Sequence, residues 1–361
     1  MALLDGDEAW LVVRHADVRQ VLADRRFSRA AAFGEGAPRL VGGDPLLPAA
    51  ILNMDPPEHT RLRKIAAGMF TAHRMERLRP RIRQTATDLI EAMAAGGPPT
   101  DLMAAFALAL PVLTICELLG VPYGDRDRFR TWTDVSAALT EAEVVEVVQA
   151  LKAYMAELIS VNRHEPTDSV LGALVTAHDD HGQLSKEELV TFGVFLLVAG
   201  HETTARQIGN GIVILLRQPN QWSRLAREPA LVPRAVEELL RFTPFGVPVA
   251  DVRIATEDVE LTEMTVQAGE AVLASIVAAD RDATVFVAPD RLNLDRAENP
   301  HVAFGHGIHH CLGASLARVE LQETFTVLPR AFPNLRLAVP EQQLTWMGMF
   351  NRRSSTLPVT W

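Results

Sequence analysis

Apolar residues recur at helical spacing through most of the chain, the signature of helices with one buried face. That periodicity predicts helices over 58–70, 74–95, 101–119, 125–136, 141–163, 186–217, 221–226, 231–242 and 314–331. Strand patterns are fewer and shorter: WLVV at 10–13, VRIATEDVEL at 252–261 and AVLASIV at 271–277 alternate or carry β-branched residues. The stretch 33–52 is rich in Gly and Pro, lacks a period and reads as a long lid-like loop. No linker or repeat divides the chain, so the expectation is one domain over 1–361, mainly α with a small β portion.

Helix ends agree with these boundaries. Ser185-Lys186-Glu187-Glu188 is a capping box opening the longest helix. Asp55, followed by Pro56, Pro57 and Glu58, reads as the N-cap of the helix from 58.

Composition narrows the class. The chain has 361 residues, 48% hydrophobic and 22% charged, which suits a globular protein with a substantial core. A net charge of −10 argues against nucleic-acid binding. Two cysteines cannot build a disulfide framework; Cys116 sits in a helical apolar pattern, and a reducing cytoplasm is the expected location. The acidic start lacks a secretion signal, and the longest apolar run, 189–200, is too short for a membrane span. The charge reverses locally at Arg61, Arg63, Lys64, Arg74, Arg77, Arg79, Arg81 and Arg83. That stretch is either a solvated helical face or a docking patch for an acidic protein.

Candidate chemistry concentrates in FGHGIHHCLG at 304–313. Cys311 lies in a glycine-rich loop, with Gly305, Gly307 and Gly313 able to admit a flat cofactor and to take positive φ. Phe304 offers an apolar shield for the sulfur. The helix predicted from 314 would direct its positive end at a thiolate. Two plainer readings compete: a small buried side chain, and a zinc site using His306, His309, His310 and Cys311. The second suffers because 309–311 are consecutive, and adjacent residues seldom converge on one tetrahedral ion.

Two further patterns lie upstream. Ala199-Gly200-His201-Glu202-Thr203-Thr204 interrupts the apolar long helix with small and polar residues. Ala199 and Gly200 would let something flat pack on the backbone, and the Thr203 hydroxyl could bond its own helix carbonyls and widen a turn. Glu238 and Arg241 share a helix face at i, i+3 and form a local ion pair.

In this order, Phe-x-x-Gly-x-x-x-Cys-x-Gly, the 199–204 segment and Glu-x-x-Arg resemble the motifs of the cytochrome P450 family, soluble bacterial type. The resemblance covers nearly the whole chain, although members usually carry several dozen residues before WLVVRHADV. It implies the P450 fold and haem b, with Cys311 as axial iron ligand. It further implies propionate contacts from His59, Arg63, Arg253 and His309, and a structural triad of Glu238, Arg241 and Arg291, with Arg296 as the competitor. Thr203 would hydrogen-bond dioxygen and Glu202 would relay protons. Phe195, Leu196, Val198, Val247, Val249, Met349 and Phe350 would line the pocket with the 33–52 loop.

The implied activity is a haem-thiolate monooxygenase that inserts one atom of O2 into a hydrophobic small molecule. A macrolide, other polyketide or terpenoid is the expected substrate. Electrons would come from NAD(P)H through ferredoxin reductase and ferredoxin, the enzyme acting as a monomer. A hydrogen peroxide-dependent peroxygenase and a non-catalytic haem or ligand carrier are the alternatives. The Glu202-Thr203 pair speaks against both.

Overall fold

The computed structural model describes residues 8–34, 36–38, 47, 49–125, 141–179, 184–243, 252–347 and 353–361. Its helices are α1 (His15–Ala23), α2 (Glu58–Ala67), α3 (Ala72–Gly96), α4 (Ala109–Leu119), α5 (Glu141–His164), α6 (Val170–Asp179), α7 (Lys186–Leu216), α8 (Pro219–Arg227), α9 (Val232–Phe242), the short α10 (Ile276–Ala279) and α11 (Ala314–Ala331). The architecture is mainly α with small sheets, as the periodicity predicts.

Helix α7 is the central rod, and its sequence explains how. The capping box forms: Ser185 Oγ takes the Glu188 N–H at 3.1 Å, and Glu188 returns a carboxylate to the Ser185 N–H at 2.8 Å. Glycines let neighbours come close. A Cβ on Gly193 would lie 2.6 Å from Met155 of α5, and one on Gly211 3.0 Å from Phe325 of α11. The resulting main core includes Leu189, Ile208, Ile212, Phe325 and Trp222. Trp222 is buried and donates from Nε1 to the Phe332 carbonyl at 3.0 Å. Truncating such an aromatic costs about 3–5 kcal/mol.

The principal sheet joins distant parts of the chain in the order β1 (Trp10–Val12), β7 (Ala271–Ala274), β4 (Val252–Ala255), β2 (Phe27–Ser28). β1 runs parallel to β7, pairing Trp10 with Val272, whereas β4 is antiparallel to both β7 and β2. β5 (Val259–Glu260) and β6 (Thr265–Val266) form a hairpin. β3 (Thr100–Asp101), β11 (Pro358–Thr360) and β8 (Arg336–Leu337) make a second small sheet, and β9 (Trp346–Met347) pairs β10 (Arg353–Ser354).

Several expectations change. The 252–261 strand splits in two: the chain bends after Thr256, whose N–H makes the last bond toward β2 at the Arg26 carbonyl, 2.8 Å, and pairing resumes only at Val259. The 271–277 strand stops at Ala274, where the Ser275 hydroxyl caps α10. Within 101–119 a π-helical stretch, Met103–Ala107, precedes α4. Asp55 does not cap α2 with its side chain; the carboxylate instead takes the Ser28 hydroxyl and the Arg29 N–H. Helices α1 and α6, absent from the periodicity reading, are only nine and ten residues long. The helix expected over 125–136 falls almost wholly outside the described residues.

Candidate functional site

The cysteine loop is built by backbone bonds. Val302 N–H donates to Asp280 Oδ1 at 2.7 Å and Gly305 N–H to the Val302 carbonyl at 2.8 Å. Cys311 N–H then closes the loop on the Phe304 carbonyl at 2.8 Å. Gly305 and Gly307 have φ of 73° and 72°, where a side chain would be strained. Gly307 also packs on α1: a Cβ there would stand 2.6 Å from the Leu22 carbonyl oxygen. Gly313 departs from expectation, with φ −84°, an ordinary conformation. A Cβ added to it meets nothing within 4 Å, so this glycine provides room for a close approach, not a special turn.

Cys311 is exposed, yet neighbouring protein atoms desolvate its thiol. Burial pushes the thiol pKa up; the Gly313 N–H and the charges of Arg63 and Arg318 pull the other way. Helix α11 begins three residues later, and its N-terminus adds to that pull.

Beside the loop, the His59 ring of α2 and the His309 ring lie against each other, centroids 4.3 Å apart and planes tilted by 55°. Burial drives the His309 pKa down to about 2, assisted by Arg253, His59, Arg29 and Arg63. His59 is also lowered, by burial first and then Arg63. Both rings are therefore neutral, and among the described residues His59 Nδ1 and His309 Nε2 are buried without hydrogen-bond partners. Arg63 donates to the His310 carbonyl, tying α2 to the loop. Arg253 is buried in β4 and donates to the Phe27 carbonyl at 3.4 Å. Arg29, not anticipated from the sequence, is buried behind them and donates to the Val252 carbonyl. Positive charge with orphaned imidazole nitrogens suits an anionic group. The residues fit a haem: a thiol for iron, room above Gly313, and cations and imidazoles for carboxylates.

The zinc reading fails. No group of three or more His, Cys, Asp or Glu side chains that could hold a metal is found among the described residues. His306 lies by Arg19, while His309 lies against His59 and the His310 ring centroid is 6.3 Å from that of Phe304, so the rings disperse.

Along α7 the buried pattern opens at Val198, Ala199 and Thr203. Thr203 donates to the Ala199 carbonyl at 3.0 Å, but α7 continues unbroken to Leu216, so no widened turn forms. A carbonyl has two lone pairs, and the hydroxyl can use the second. Gly200 does not present a flat platform: a Cβ there would meet Ile115 of α4 at 2.9 Å, so its small size serves helix packing. Glu202 is half-buried and accepts from Arg206 at 2.8 Å, with Arg353 Nε at 3.9 Å.

Glu238 and Arg241 form a fully buried pair at 2.8 Å. The third member is Arg296, whose Nε meets Glu238 Oε2 at 2.9 Å. Arg291 is exposed and contributes only its carbonyl, 3.5 Å from Arg241 Nη2. The basic stretch is largely neutralised: Arg61 pairs with Glu188, Arg74 with Asp168, Arg81 with Glu117, and Arg79 and Arg83 both with Glu323 of α11. Phe195 is half-buried and Val198 exposed, whereas Leu196 packs in the main core. Val247, Val249, Met349 and Phe350 lie outside the described residues, as does most of 39–48.

The cytochrome P450 family model matches residues 115–351. The chain is 48% identical to the mycinamicin IV hydroxylase/epoxidase of Micromonospora griseorubida over 360 residues, 99% of this chain and 90% of that one. It is equally close to the nocardicin C N-oxygenase of Nocardia uniformis subsp. tsuyamanensis, at 48% and the same coverage. The fold superimposes on the crystal structure of a cytochrome P450 hydroxylase from the leinamycin biosynthetic pathway of Streptomyces atroolivaceus. There the TM-score is 0.90 at 47% identity, covering 98% of this chain and 90% of the other. No helix among the described residues is long and apolar enough to cross a membrane. A glycine-loop thiol under the charges of Arg63 and Arg318, inside a fold shared with oxygenases at this identity, makes the chain a member of the cytochrome P450 family, a haem-dependent monooxygenase of hydrophobic small molecules.

Proposed function

We propose that this P450 oxidises a specialised metabolite, a macrolide, other polyketide or terpenoid, with Cys311 as the axial ligand of haem b. The observation that carries the assignment is the tilted contact of the His59 and His309 rings beside the cysteine loop, with two buried ring nitrogens lacking partners. Those nitrogens, with Arg63 and Arg253, would hold the propionates. Haem, when bound, supplies the centre at which one atom of O2 passes to substrate. The exposed Thr203 hydroxyl would hydrogen-bond dioxygen, and Glu202 would move protons in from solvent. Phe195 and Val198 present apolar surface to the substrate. Mycinamicin and nocardicin named among the relatives support a natural-product substrate.

Electrons arrive from NAD(P)H through ferredoxin reductase and ferredoxin to a monomeric, cytoplasmic enzyme. One domain spans 1–361. The test begins with the reduced, carbon monoxide-bound spectrum of wild type and Cys311→Ser. A thiolate-type band in the first and its loss in the second are expected. An unchanged band in the serine variant removes Cys311 from the iron. Thr203→Ala should keep haem content and lose product; turnover with peroxide alone equal to that with the ferredoxin system would replace the monooxygenase by a peroxygenase.

A further inference from the structure

Helix α9 carries two consecutive glutamates, and only the second belongs to the buried triad. Glu237 turns the other way, toward the cysteine loop. Its Oε1 accepts from Arg318 Nε at 2.8 Å and its Oε2 from Arg318 Nη2 at 3.0 Å, a planar two-point pairing. The same Oε2 meets His301 Nε2 at 3.0 Å. His301 is buried, and its Nδ1 accepts the Ala303 N–H at 3.2 Å. That bond leaves the ring proton on Nε2, facing Glu237.

Both arms reach the loop. Arg318 lies over the Phe304 ring at 4.6 Å from its centroid, a cation–π contact. Phe304 is the residue whose carbonyl takes the Cys311 N–H at 2.8 Å. Ala303, held through His301, immediately precedes it. The pair is one-third exposed, with side-chain exposures of 33% and 30%, so its worth to overall stability is small. What it fixes is geometry: one carboxylate sets an arginine, a histidine and, through them, the residue that closes the cysteine loop.

We propose that Glu237 is the positioning residue of the cysteine ligand, holding Arg318 and His301 so that Phe304 and a compensated positive charge stand fixed beside the sulfur. The inference rests on Cys311 being the iron ligand. Glu237 acts through Arg318 and His301. Charge compensation is the distinctive part. Without the carboxylate, Arg318 bears more positive charge toward the site, and the reduced state is favoured. Without Arg318, the uncompensated carboxylate opposes an added electron.

The experiment is the reduction potential of the haem-loaded protein, with the carbon monoxide spectrum as a second readout. Glu237→Gln should shift the ferric-to-ferrous ratio at least threefold toward ferrous at fixed potential, about 28 mV at 59 mV per decade for one electron. Arg318→Gln should shift it at least threefold toward ferric. Arg318→Lys should bring the potential back toward wild type, because the charge returns. It should still show a larger share of the thiolate-lost carbon monoxide species than wild type, because the planar pairing and ring contact do not return. If Glu237→Gln does not accumulate, the two Arg318 variants decide the matter by the same signs. Any other pattern, such as both glutamine variants moving together or neither moving, overturns the inference. Failure of the underlying reading is distinguishable, since Cys311→Ser would then keep the wild-type spectrum.

Discussion

Arg206 reaches back one turn of α7 and donates to the Glu202 carboxylate at 2.8 Å. The guanidinium is buried, and burial lowers its pKa while Glu202 supports its charge. Arg353 approaches the same carboxylate from β10, at 3.9 Å. The acid assigned to proton movement is therefore held from two sides.

Glu202→Gln is expected to lower turnover about a hundredfold, the lower end of what general acid–base groups contribute, at unchanged haem content. Arg206→Gln frees the carboxylate instead of removing it. Product formed per NAD(P)H should fall and released hydrogen peroxide should rise. Wild-type coupling in Arg206→Gln would mean that the tether has no bearing on the relay.

The two candidate third members of the buried triad separate by stability. Arg296→Ala removes one of the two guanidinium partners of the fully buried Glu238, leaving Arg241, and should cost about 1.5–3 kcal/mol in chemical denaturation. Arg291→Ala, at an exposed position, should stay within about 0.5 kcal/mol of wild type. Equal losses in both would contradict the assignment.

Arg296 illustrates what the sequence could and could not tell. Helix periodicity located Glu238 and Arg241 one turn apart, and that local pair exists. The partner arrives from an irregular segment, where no period says which of two arginines five residues apart turns inward. The same limit hid Arg29, Arg353 and His301, whose contacts span long stretches of chain. Glu237 was nearer to hand, since consecutive glutamates on a helix cannot face one partner. The cysteine loop was legible because its glycines and Phe304 are contiguous. Gly200 misled because a missing Cβ signals close approach without naming what approaches, here Ile115.

Asp280 gives a pH dependence. Burial raises its pKa from 3.8 to about 6, against lowering by the Val302 N–H and nearby His301, Arg241 and Arg281. Below the unfolded value the carboxyl is protonated in both states, and its contribution is fully present. As pH rises through the folded value, a buried charge must form, and about 3 kcal/mol is lost at 1.36 kcal/mol per unit. Asp280→Asn keeps the acceptor for Val302 and removes the titration. Denaturation across this window should show the variant gaining on wild type as pH rises; parallel curves would refute it.

Two glycine substitutions divide loop docking from cofactor contact. Gly307→Ala places a methyl 2.6 Å from the α1 backbone at φ 72°, and should destabilise the protein and its haem retention together. Gly313→Ala meets no protein atom within 4 Å, so denaturation should be unchanged while haem affinity falls. Normal haem affinity in Gly313→Ala would count against that face as the cofactor's.

The strand pairings carry a consequence for biosynthesis. Trp10 lies beside Val272, Thr100 beside Val359, and His59 against His309. Each union joins an early codon's product to a late one's, so the chain has high contact order. A nascent chain that ends before residue 309 carries His59 but neither His309 nor Cys311. Cofactor capture through both groups thus waits until residues 309–311 are made and folded against α2.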